Sequence, residues 1–403
     1  MTYILVVGNG LPTQEEPKQG AFAFDQARGL ADLGYSVVYA ALDIRSLRHP
    51  RPWGIQRLDR AGLPIFRMNI PIGRAPLRIK QALSSWALAR LYQKIESTFG
   101  PATLLHAHFL EAGEPAAALC QKKGLPFFYT EHASQLHQSP LPPALKKRAQ
   151  ALYPQTQGLI AVSRSLAENL QKETGFAARV IPNMVDTALF HYDPVLARDK
   201  GHFTFVFAGN LRPIKGVDIL LRAFRLHHDR FPEDQLRLFG DGPLRSDLTH
   251  LAEELGIFHQ VHFEGMRTRA EIAEAYRRSQ VFCLLSRSET FGLAYIEALA
   301  AGLPVLASDC GGPADFMRPD YGLVVPVGDI QAAGRALSDL RSAYSNYQPL
   351  HIAQAIRQAF SPKAVMGQVL ALYQERLPEQ FCTREAAQKR GGGQRGPARA
   401  KSE

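Results

Sequence analysis

The stretch Glu289-Thr-Phe-Gly-Leu-Ala-Tyr-Ile-Glu-Ala-Leu-Ala-Ala-Gly302 decides how the second half of the chain folds. An apolar run at 281–285 precedes it and another follows it, so Glu289 lies on the loop that leaves a predicted strand. Gly292 then opens a helix, which carries Glu297 one to two turns further on. At this edge of an open parallel sheet, a helix start offers free N–H groups to an anion. The two carboxylates can accept hydrogen bonds from sugar hydroxyls, and they lie beside this anion-binding helix start. Together they favour a ligand with both sugar hydroxyls and phosphate, as in a nucleotide sugar.

Short apolar runs alternate with amphipathic segments along the chain, which predicts an α/β fold with parallel sheets and helices on both faces. Strands are predicted at residues 4–8, 36–40, 65–69, 104–107, 127–130, 159–162, 179–181, 203–208, 235–239, 259–263, 281–285, 305–308 and 323–325. Helices fill the gaps, for example at 22–33 and 163–173, and Ser163 and Ser165 are candidate N-caps for the second of these.

The alternation pauses at 191–201, where the chain is polar, charged and broken by Pro194. Because 403 residues exceed what one hydrophobic core normally holds, we predict two Rossmann-like domains with a cleft between them. The predicted parts are a first domain at 1–190, a linker at 191–202, a second domain at 203–360, a crossover helix at 361–377 and a disordered basic tail at 378–403.

The formal net charge of +10 is unevenly spread, since residues 1–190 hold 21 Lys and Arg against 13 Asp and Glu. A basic first half is typical of proteins that bind nucleic acid, an anionic membrane surface or a phosphorylated substrate. No helix-turn-helix, zinc-ligand or basic-aromatic RNA motif is present in the sequence, so nucleic acid is the least favoured partner. No run of 18 apolar residues occurs, the first strand starts without a basic leader, and the four cysteines have no paired spacing. These features predict a cytoplasmic protein with reduced thiols.

A second motif, Gly209-Asn-Leu-Arg-Pro-Ile-Lys-Gly216, follows the strand predicted at 203–208, where the alternation of strands and helices resumes. Its loop carries Arg212 and Lys215 just before a helix that begins at Gly216. Two cations at a helix start predict a diphosphate site, although a lone lysine in a loop is more often simply solvated. The first motif lies on the same edge of the same predicted sheet, which favours the diphosphate interpretation.

Together these segments resemble the retaining glycosyltransferases of family four, also called glycosyl transferases group 1. The matching pieces, in the same order, are 209–216, Gly240-Asp-Gly-Pro243, Phe263-Glu-Gly265, the Glu289-x7-Glu297 segment and Ala301-Gly-Leu-Pro-Val305. The resemblance implies the GT-B fold, with two Rossmann-like domains facing a central cleft and a C-terminal helix that packs back toward the first domain. The family commonly has arginine where this chain has Asn210, and we expect Arg212 to supply that charge.

The resemblance also implies roles for individual residues. The implied catalytic residues are His132, Lys215 and Glu289. The implied donor-binding residues are Gly209, Asn210, Arg212, Lys215, Gly240, Asp241, Met266, Glu289, Phe291, Gly292, Leu293 and Glu297. The implied acceptor-binding residues are Gly20, His108 and His132. Lys215 would stabilise the departing nucleoside diphosphate, Glu289 would hold donor-sugar hydroxyls and Glu297 would hold the ribose, whereas Met266 taken alone is more typical of simple packing.

His106 and His108 invite a metal interpretation, but we expect an i, i+2 pair on this strand to point to opposite faces and therefore expect no joint ligation. His108 is the one favoured to line the cleft. No Asp-x-Asp motif is present in the sequence, and the resemblance implies a metal-independent enzyme without a cofactor, whose donor is a nucleotide diphosphate sugar. Asn183 and Asp186, in a run that matches the end of the family's first domain, are expected to be structural.

The expected activity is transfer of a hexose, with retention, to a sugar or lipid-linked acceptor in bacterial surface polysaccharide or glycolipid synthesis. A hydrolase would need carboxylates on both sides of the bond, which Glu289 and Glu297 on one strand–helix unit do not provide. Two alternatives stay open: a non-hydrolysing nucleotide-sugar epimerase of the same fold, and a non-catalytic binding relative suggested by Asn210. Basic and aromatic residues interleave with apolar ones at 74–92, and a basic cluster follows at 144–148, which together suggest peripheral contact with an anionic membrane. An ordinary core-facing helix explains the first segment equally well.

Overall fold

Two β-sheets, one in each half of the chain, organise the protein. They are seen in a computed structural model, which describes residues 3–13, 16, 19–45, 53–72, 75–137, 139–195 and 201–381. The predicted α/β fold with two Rossmann-like domains is confirmed, and each domain is named below by its sheet.

The sheet of the first domain has eight strands in the spatial order β3-β4-β2-β1-β5-β6-β7-β8. Its strands are β1 (Ile4–Gly8), β2 (Val37–Arg45), β3 (Gly54–Arg60), β4 (Leu63–Pro71), β5 (Leu104–His108), β6 (Phe127–Glu131), β7 (Gly158–Ala161) and β8 (Arg179–Val180). Every pair is parallel except that of β3 with β4, which is antiparallel. Sequence reasoning missed β3 because this edge strand alternates half-buried and exposed residues and lacks an apolar run.

The helices of the first domain are α1 (Ala21–Asp32), α2 (Leu77–Phe99), α3 (Phe109–Lys123), α4 (Pro143–Leu152) and α5 (Arg164–Thr174). Ser163 is the N-cap of α5, because its side chain accepts a hydrogen bond from the N–H of Leu166 at 3.1 Å. This confirms one of the two predicted caps. The other candidate, Ser165, lies inside the first turn of the helix.

The sheet of the second domain has six parallel strands in the order β11-β10-β9-β12-β13-β14. They are β9 (Thr204–Ala208), β10 (Gln235–Phe239), β11 (Val261–Gly265), β12 (Val281–Leu284), β13 (Val305–Ser308) and β14 (Gly322–Val325). The strands β9, β10, β12 and β13 are buried along most of their length, which is why they read as short apolar runs. The order reverses beside β9, so the loops after β9 and β12 lie at a topological switch point, where ligands bind in open α/β sheets.

The remaining helices are α6 (Val217–His228), α7 (Arg245–Glu254), α8 (Arg269–Arg278), α9 (Leu293–Ala300), α10 (Ile330–Ser342), α11 (Pro349–Phe360), α12 (Pro362–Arg376) and α13 (Pro378–Phe381). Helix α12 leaves the second domain and packs on α1 of the first. Its residues Met366, Val369 and Tyr373 belong to the same buried cluster as Phe24 of α1 and Ile4 of β1. The predicted return of the C-terminal helix to the first domain is confirmed.

Two of the sequence predictions fall partly outside the described residues. The linker predicted at 191–202 includes residues 196–200, which are outside them, so its bounds stay a prediction. The tail predicted to be disordered starts instead with the helical turn Pro378–Phe381, and residues 382–403 are outside the described part. Within the described residues, no helix has the length and apolar character needed to cross a membrane.

Candidate active site

The loops that leave β9, β10 and β11 lie against one another at the carboxyl edge of the second sheet. A Cβ atom on Gly240 would fall 1.8 Å from the carbonyl oxygen of Gly209, so a larger residue cannot make this approach. The N–H of Gly240 donates to the carbonyl oxygen of Gly265 at 2.8 Å. Met266 comes next and is 57% exposed, so the expectation that it mainly packs is wrong. The predicted donor loops therefore form one continuous surface.

Three polar residues predicted to bind the donor lie on this surface. The N–H of Leu211, between Asn210 and Arg212, donates to the carbonyl oxygen of Asp241 at 3.0 Å, which ties the two loops together. The carboxylate of Asp241 accepts a hydrogen bond from the N–H of Gly242 at 2.8 Å, and the side chain of Arg212 is exposed. The structure thus brings these residues together, and their contacts with a ligand stay a prediction.

The charged pair Lys215–Glu289 joins the loops after β9 and β12. The Nζ atom of Lys215 lies 2.6 Å from Oε1 of Glu289, and the hydroxyl of Ser286 donates to the same oxygen at 2.7 Å. Gly216 allows the approach, because a Cβ atom there would fall 1.9 Å from the carbonyl oxygen of Leu285. Only 11% of the Glu289 side chain and 26% of the Lys215 side chain are exposed. Two residues 74 positions apart in the sequence therefore meet at the predicted donor site.

The start of α9 presents backbone groups rather than side chains to the edge of the sheet. Gly292 has φ +90°, and a Cβ atom there would fall 2.5 Å from the ring of Tyr295. The side chain of Phe291 is buried, with its ring 5.5 Å from that of Phe316. Because the helix begins at Leu293, its first N–H groups have no partner within the helix. This geometry fits the predicted use of backbone N–H groups at residues 291–293.

Glu297 is part of a charged group that reaches the other domain. Its Oε1 atom accepts a hydrogen bond from Arg269 at 2.8 Å, and its side chain is 13% exposed, so it is not a solvent-facing helix residue. The guanidinium of Arg269 also lies 5.3 Å from the ring of Phe190. Burial raises the pKa of Asp25 in α1 to about 6, and the charge of Arg269 opposes that rise. Arg269, which sequence reasoning missed, is thus close enough to both domains to interact with an acid from each.

The predicted acceptor side holds three stacked histidines. The rings of His106 and His108 lie 4.9 Å apart at 15°, so the expectation that they point to opposite faces is wrong, because residues two apart on a strand share a face. His106 makes contacts of 2.5 Å to the hydroxyl of Tyr373 and 2.7 Å to that of Thr130. The Nδ1 atom of His108 lies 2.9 Å from Nε2 of His132. Burial lowers the pKa of His106 to about 3 and that of His108 well below its usual value, so both imidazoles are uncharged at neutral pH.

His132 lies between two aromatic rings at the cleft. Its ring stacks 4.7 Å from that of Phe22 and 4.9 Å from that of Phe109. Phe109 has φ +65°, a strained conformation for a bulky residue and one that is found mainly at functional sites. Burial lowers the pKa of His132 to about 3, against a smaller opposing effect of Asn183. His132 and Leu293 of the second domain line the same cavity of about 30 Å³, so the predicted first-domain residue does face the second domain.

Glu131 precedes His132 and was not assigned a role from the sequence. Its Oε1 atom accepts hydrogen bonds from the N–H groups of His132 and Ala133, both at 2.9 Å. Its Oε2 atom accepts from the hydroxyls of Tyr129 at 2.6 Å and Tyr153 at 3.3 Å. Burial raises the pKa of Glu131 to about 7, although these four donors oppose the rise. A charged residue directly after an apolar predicted strand was the sequence signal that could have indicated this role.

Gly20 is the N-cap of α1 and lies against the backbone of another glycine loop. It has φ +67°, and a Cβ atom there would fall 2.3 Å from the carbonyl oxygen of Gly10. The buried hydroxyl of Tyr39 donates to that same oxygen at 2.8 Å. The two glycine loops of the first domain are therefore held together, and a role for Gly20 in binding the acceptor stays a prediction.

The cysteines among the described residues form no disulfide. Cys120, Cys283 and Cys310 are free and buried. No group of three or more His, Cys, Asp or Glu side chains in the described part of the chain could hold a metal ion.

Asp186 makes a local turn by accepting hydrogen bonds from the N–H groups of Ala188 and Leu189, which fits the expected structural role.

Two Rossmann-like domains that face a cleft, with a C-terminal helix that returns from the second domain to the first, define the GT-B fold. The sequence models of two families match adjacent parts of the chain: "Glycosyltransferase Family 4" at residues 19–189 and "Glycosyl transferases group 1" at residues 191–353. Together the two models cover both domains, and the chain belongs to the family four glycosyltransferases, as its motifs indicate.

Curated relatives share the family over much of the chain. The D-inositol 3-phosphate glycosyltransferase of Rhodococcus erythropolis is 29% identical over 361 residues, which are 83% of this chain and 77% of that protein. D-inositol 3-phosphate glycosyltransferase 1 of Catenulispora acidiphila is 32% identical over 53% of this chain and 57% of its own length. This second alignment thus spans little more than half of the relative.

Solved structures show the same fold. Sucrose-phosphate synthase from Thermosynechococcus elongatus has a TM-score of 0.77 at 20% identity and covers 93% of this chain and 99% of its own. The Anabaena protein HepE in complex with UDP has a TM-score of 0.70 at 18% identity and covers 93% of this chain and 100% of its own. At these identities the likeness concerns the fold alone.

Proposed function

We propose that the protein moves a hexose from a nucleotide diphosphate sugar to a hydroxyl of a sugar or lipid-linked acceptor, with retention and without a metal ion. The pair Lys215–Glu289, 2.6 Å apart at the switch point of the second sheet, is the observation that carries the proposal. It sets a cation for a diphosphate next to a carboxylate for sugar hydroxyls. Backbone N–H groups at the start of α9 lie on the same edge and suit the remaining phosphate oxygens.

In the proposed reaction, the bond between C1 of the donor sugar and the β-phosphate oxygen breaks, and its electron pair leaves with the nucleoside diphosphate. The acceptor oxygen bonds to C1 on the same face, and its proton passes to the departing phosphate oxygen. Lys215 stabilises the negative charge that develops on that phosphate. Glu289 orients the sugar through its hydroxyls, and Glu297 holds the ribose.

His132 has a positioning part in this scheme rather than a part in proton transfer. Burial lowers its pKa to about 3, so its neutral ring is too weak a base to take the acceptor proton at neutral pH. His132 lines the same cavity as Leu293, which is among the proposed donor-binding residues. This location supports a hydrogen bond from the His132 ring to a substrate where donor and acceptor meet. The leaving phosphate is therefore the favoured proton acceptor.

We place the reaction in bacterial surface polysaccharide or glycolipid synthesis, at the inner face of the membrane. Helix α2 supports this setting because the exposed side chains of Ile79, Trp86 and Arg90 share the face of the helix that is turned away from the core. An apolar and basic helix face of this kind suits an anionic lipid surface.

The basic cluster at 144–148 gives the membrane less support. Arg148 forms hydrogen bonds of 2.7 and 3.1 Å with Glu114, and Lys146 lies 3.7 Å from Glu173. These acids compensate much of the charge of the cluster, so we assign the lipid contact to α2.

The function is tested with a panel of UDP-glucose, UDP-galactose, UDP-N-acetylglucosamine, GDP-mannose and ADP-glucose. UDP donors come first because HepE is seen with UDP, and D-inositol 3-phosphate serves as one acceptor because relatives are named for it. We expect slow release of nucleoside diphosphate from one donor, faster release with an acceptor, an α-linked product from an α-linked donor by NMR, and no loss of rate in EDTA.

Other outcomes of the panel would support the alternatives. Exchange between sugar isomers would indicate an epimerase, and tight binding without turnover would indicate a binding protein. Inversion at C1 or full inhibition by EDTA would each contradict one part of the proposal.

Membrane contact is tested separately by sedimentation with anionic phosphatidylglycerol vesicles and neutral phosphatidylcholine vesicles. We expect Trp86→Ser to reduce binding to the anionic vesicles several-fold, since a tryptophan side chain buries a large apolar area at a membrane surface. Trp53→Ser is the matched control, because Trp53 is also exposed but precedes the edge strand β3. Equal binding by both variants and the wild type would contradict the assignment to α2.

A further inference from the structure

His137 lies at the contact between the domains and is not used by the proposed reaction. It ends the 3₁₀ turn Ser134–His137, which follows the loop that carries His132. Leu136 is buried, and its carbonyl oxygen accepts a hydrogen bond from Asn169 of α5 at 2.7 Å. The turn is therefore anchored firmly to the first domain.

The imidazole of His137 bridges hydroxyls of both domains. Its Nε2 atom lies 3.1 Å from Oγ of Ser165, in the first turn of α5. Its Nδ1 atom lies 3.3 Å from Oγ of Ser288, which immediately precedes Glu289. Burial lowers the pKa of His137, against an opposing effect of Glu289, so the ring is neutral and can donate to one hydroxyl while it accepts from the other.

The ring of His137 also rests on the backbone that holds Glu289. Glu289 forms a parallel bridge with Gly311, in which its N–H donates to the carbonyl oxygen of Cys310 and its carbonyl oxygen accepts from the N–H of Gly312. A Cβ atom on Gly311 would fall 2.4 Å from Cε1 of His137, so the ring fills the place of a side chain. The position of Glu289 is thus fixed partly by a residue of the other domain.

Asp315 makes a second contact between the same two segments. Its Oδ2 atom accepts a hydrogen bond from the N–H of Arg164, the first residue of α5, at 2.5 Å. Its Oδ1 atom lies 3.8 Å from Nε of the same arginine. A carboxylate of the second domain therefore sits at the N-terminus of a first-domain helix, where a negative charge is favourable.

We propose that His137 is a positioning residue that the first domain contributes to the donor site: it holds the loop of Ser288 and Glu289 in place only while the two domains are in contact. Correct placement of Glu289 then depends on the cleft being closed, and Asp315 strengthens the same contact. The inference rests on the proposed function, because Glu289 is taken to orient the donor sugar. It assigns to His137 a part in donor-sugar placement and none in nucleotide binding.

The test compares His137→Ala with the full-length wild type on the donor that the panel identifies, starting from UDP-glucose. We expect kcat/KM for the donor to fall about tenfold or more, which corresponds to ~1.4 kcal/mol of barrier. Affinity for UDP alone should change little, because the proposed diphosphate contacts all belong to the second domain. Ser165→Ala should act in the same direction, and His250→Ala is the control, since His250 is exposed on α7 and lies 3.3 Å from Glu253.

A double-mutant cycle separates positioning from a general structural effect. If His137 acts through Ser288, then His137→Ala and Ser288→Ala together should cost little more than His137→Ala alone. Hydrogen exchange at 286–290 and 311–315 should also rise in His137→Ala, and this measurement does not need turnover. Kinetics and exchange equal to those of His250→Ala would overturn the inference. If the wild type turned over no donor, the proposed function would fail, while hydrogen exchange would still report whether His137 holds the loop.

Discussion

The two sides of the cleft hold their polar groups in opposite electrostatic states. On the second-domain side, Lys215 pairs with Glu289 and Arg269 pairs with Glu297, and each pair keeps some exposure to solvent. On the first-domain side, the three stacked histidines are buried and uncharged, and His132 lies between two phenylalanine rings.

The difference follows from burial. A paired charge near the surface stays ionised, whereas a buried imidazole without a charged partner gives up its proton. The charged side can exchange its internal partners for a charged ligand. The histidine side offers neutral hydrogen-bonding groups and apolar surface, which suit an uncharged sugar, together with the carboxyl group of Asp25 in the same cavity as His132. In the proposed function, the charged side would therefore hold the diphosphate and the hydroxyls of the donor, and the histidine side would hold the acceptor.

The largest expected effect is that of removing the cation on the charged side. Lys215→Ala should lower kcat by about 10²–10³, because one preorganised donor to a developing anion contributes ~3–4 kcal/mol. Turnover of the donor identified by the panel measures this, with Lys147→Ala as the control because Lys147 is exposed on α4. A Lys215→Ala enzyme with wild-type kcat would show that the charge division has no role in catalysis.

The next effect concerns the backbone of the charged side. Gly240→Ala should reduce the unfolding free energy by about 3 kcal/mol and weaken nucleotide binding, since its Cβ would meet the Gly209 carbonyl oxygen. Gly175→Ala is the matched control: Gly175 also has positive φ but has no atom near its Cβ position. That control should lose only about 1–2 kcal/mol, from backbone strain alone. Chemical denaturation of both variants measures the difference, and equal losses would mean that the loops can move apart freely.

On the neutral side, Glu131→Ala should reduce the unfolding free energy by about 2–3 kcal/mol, because it leaves buried N–H and hydroxyl donors without an acceptor. Glu131→Gln keeps an acceptor for the N–H groups and should lose less. If the two variants were equally stable, the carboxylate would not organise the loop of His132.

The smallest effect is a change in how stability depends on pH. Burial raises the pKa of Glu131 from 4.5 to about 7, so the folded protein holds this proton more tightly than the unfolded chain does. The resulting stability is present in full below pH 4.5 and is lost as the pH rises through 7. Between these values, the unfolding free energy of the wild type should fall more steeply than that of Glu131→Gln, by about 1 kcal/mol per pH unit. Parallel curves would show that folding does not raise the pKa of Glu131.

The sequence predicted the second domain better than the first. Its central strands are buried apolar runs, and the Glu289-x7-Glu297 segment fixes both the loop and the helix start that follow β12. Edge strand β3 was missed because exposed residues alternate with half-buried ones along it, so that it contains no apolar run. Glu131 depends on Tyr153, and His137 depends on Ser288 of the other domain. No local sequence pattern specifies such distant contacts. The stacking of His106 on His108, in contrast, follows from the two-residue period of a strand, which puts both side chains on one face.

The return of α12 has a consequence for how the protein is made. The hydroxyl of Tyr373 contacts His106, and Met366 lines the cavity beside His132, so the first domain uses residues that follow the second domain in the sequence. During translation these residues leave the ribosome only after the whole second domain has been synthesised. The site that would receive the acceptor is therefore completed last, and a nascent chain that could already hold a nucleotide could not yet place its acceptor.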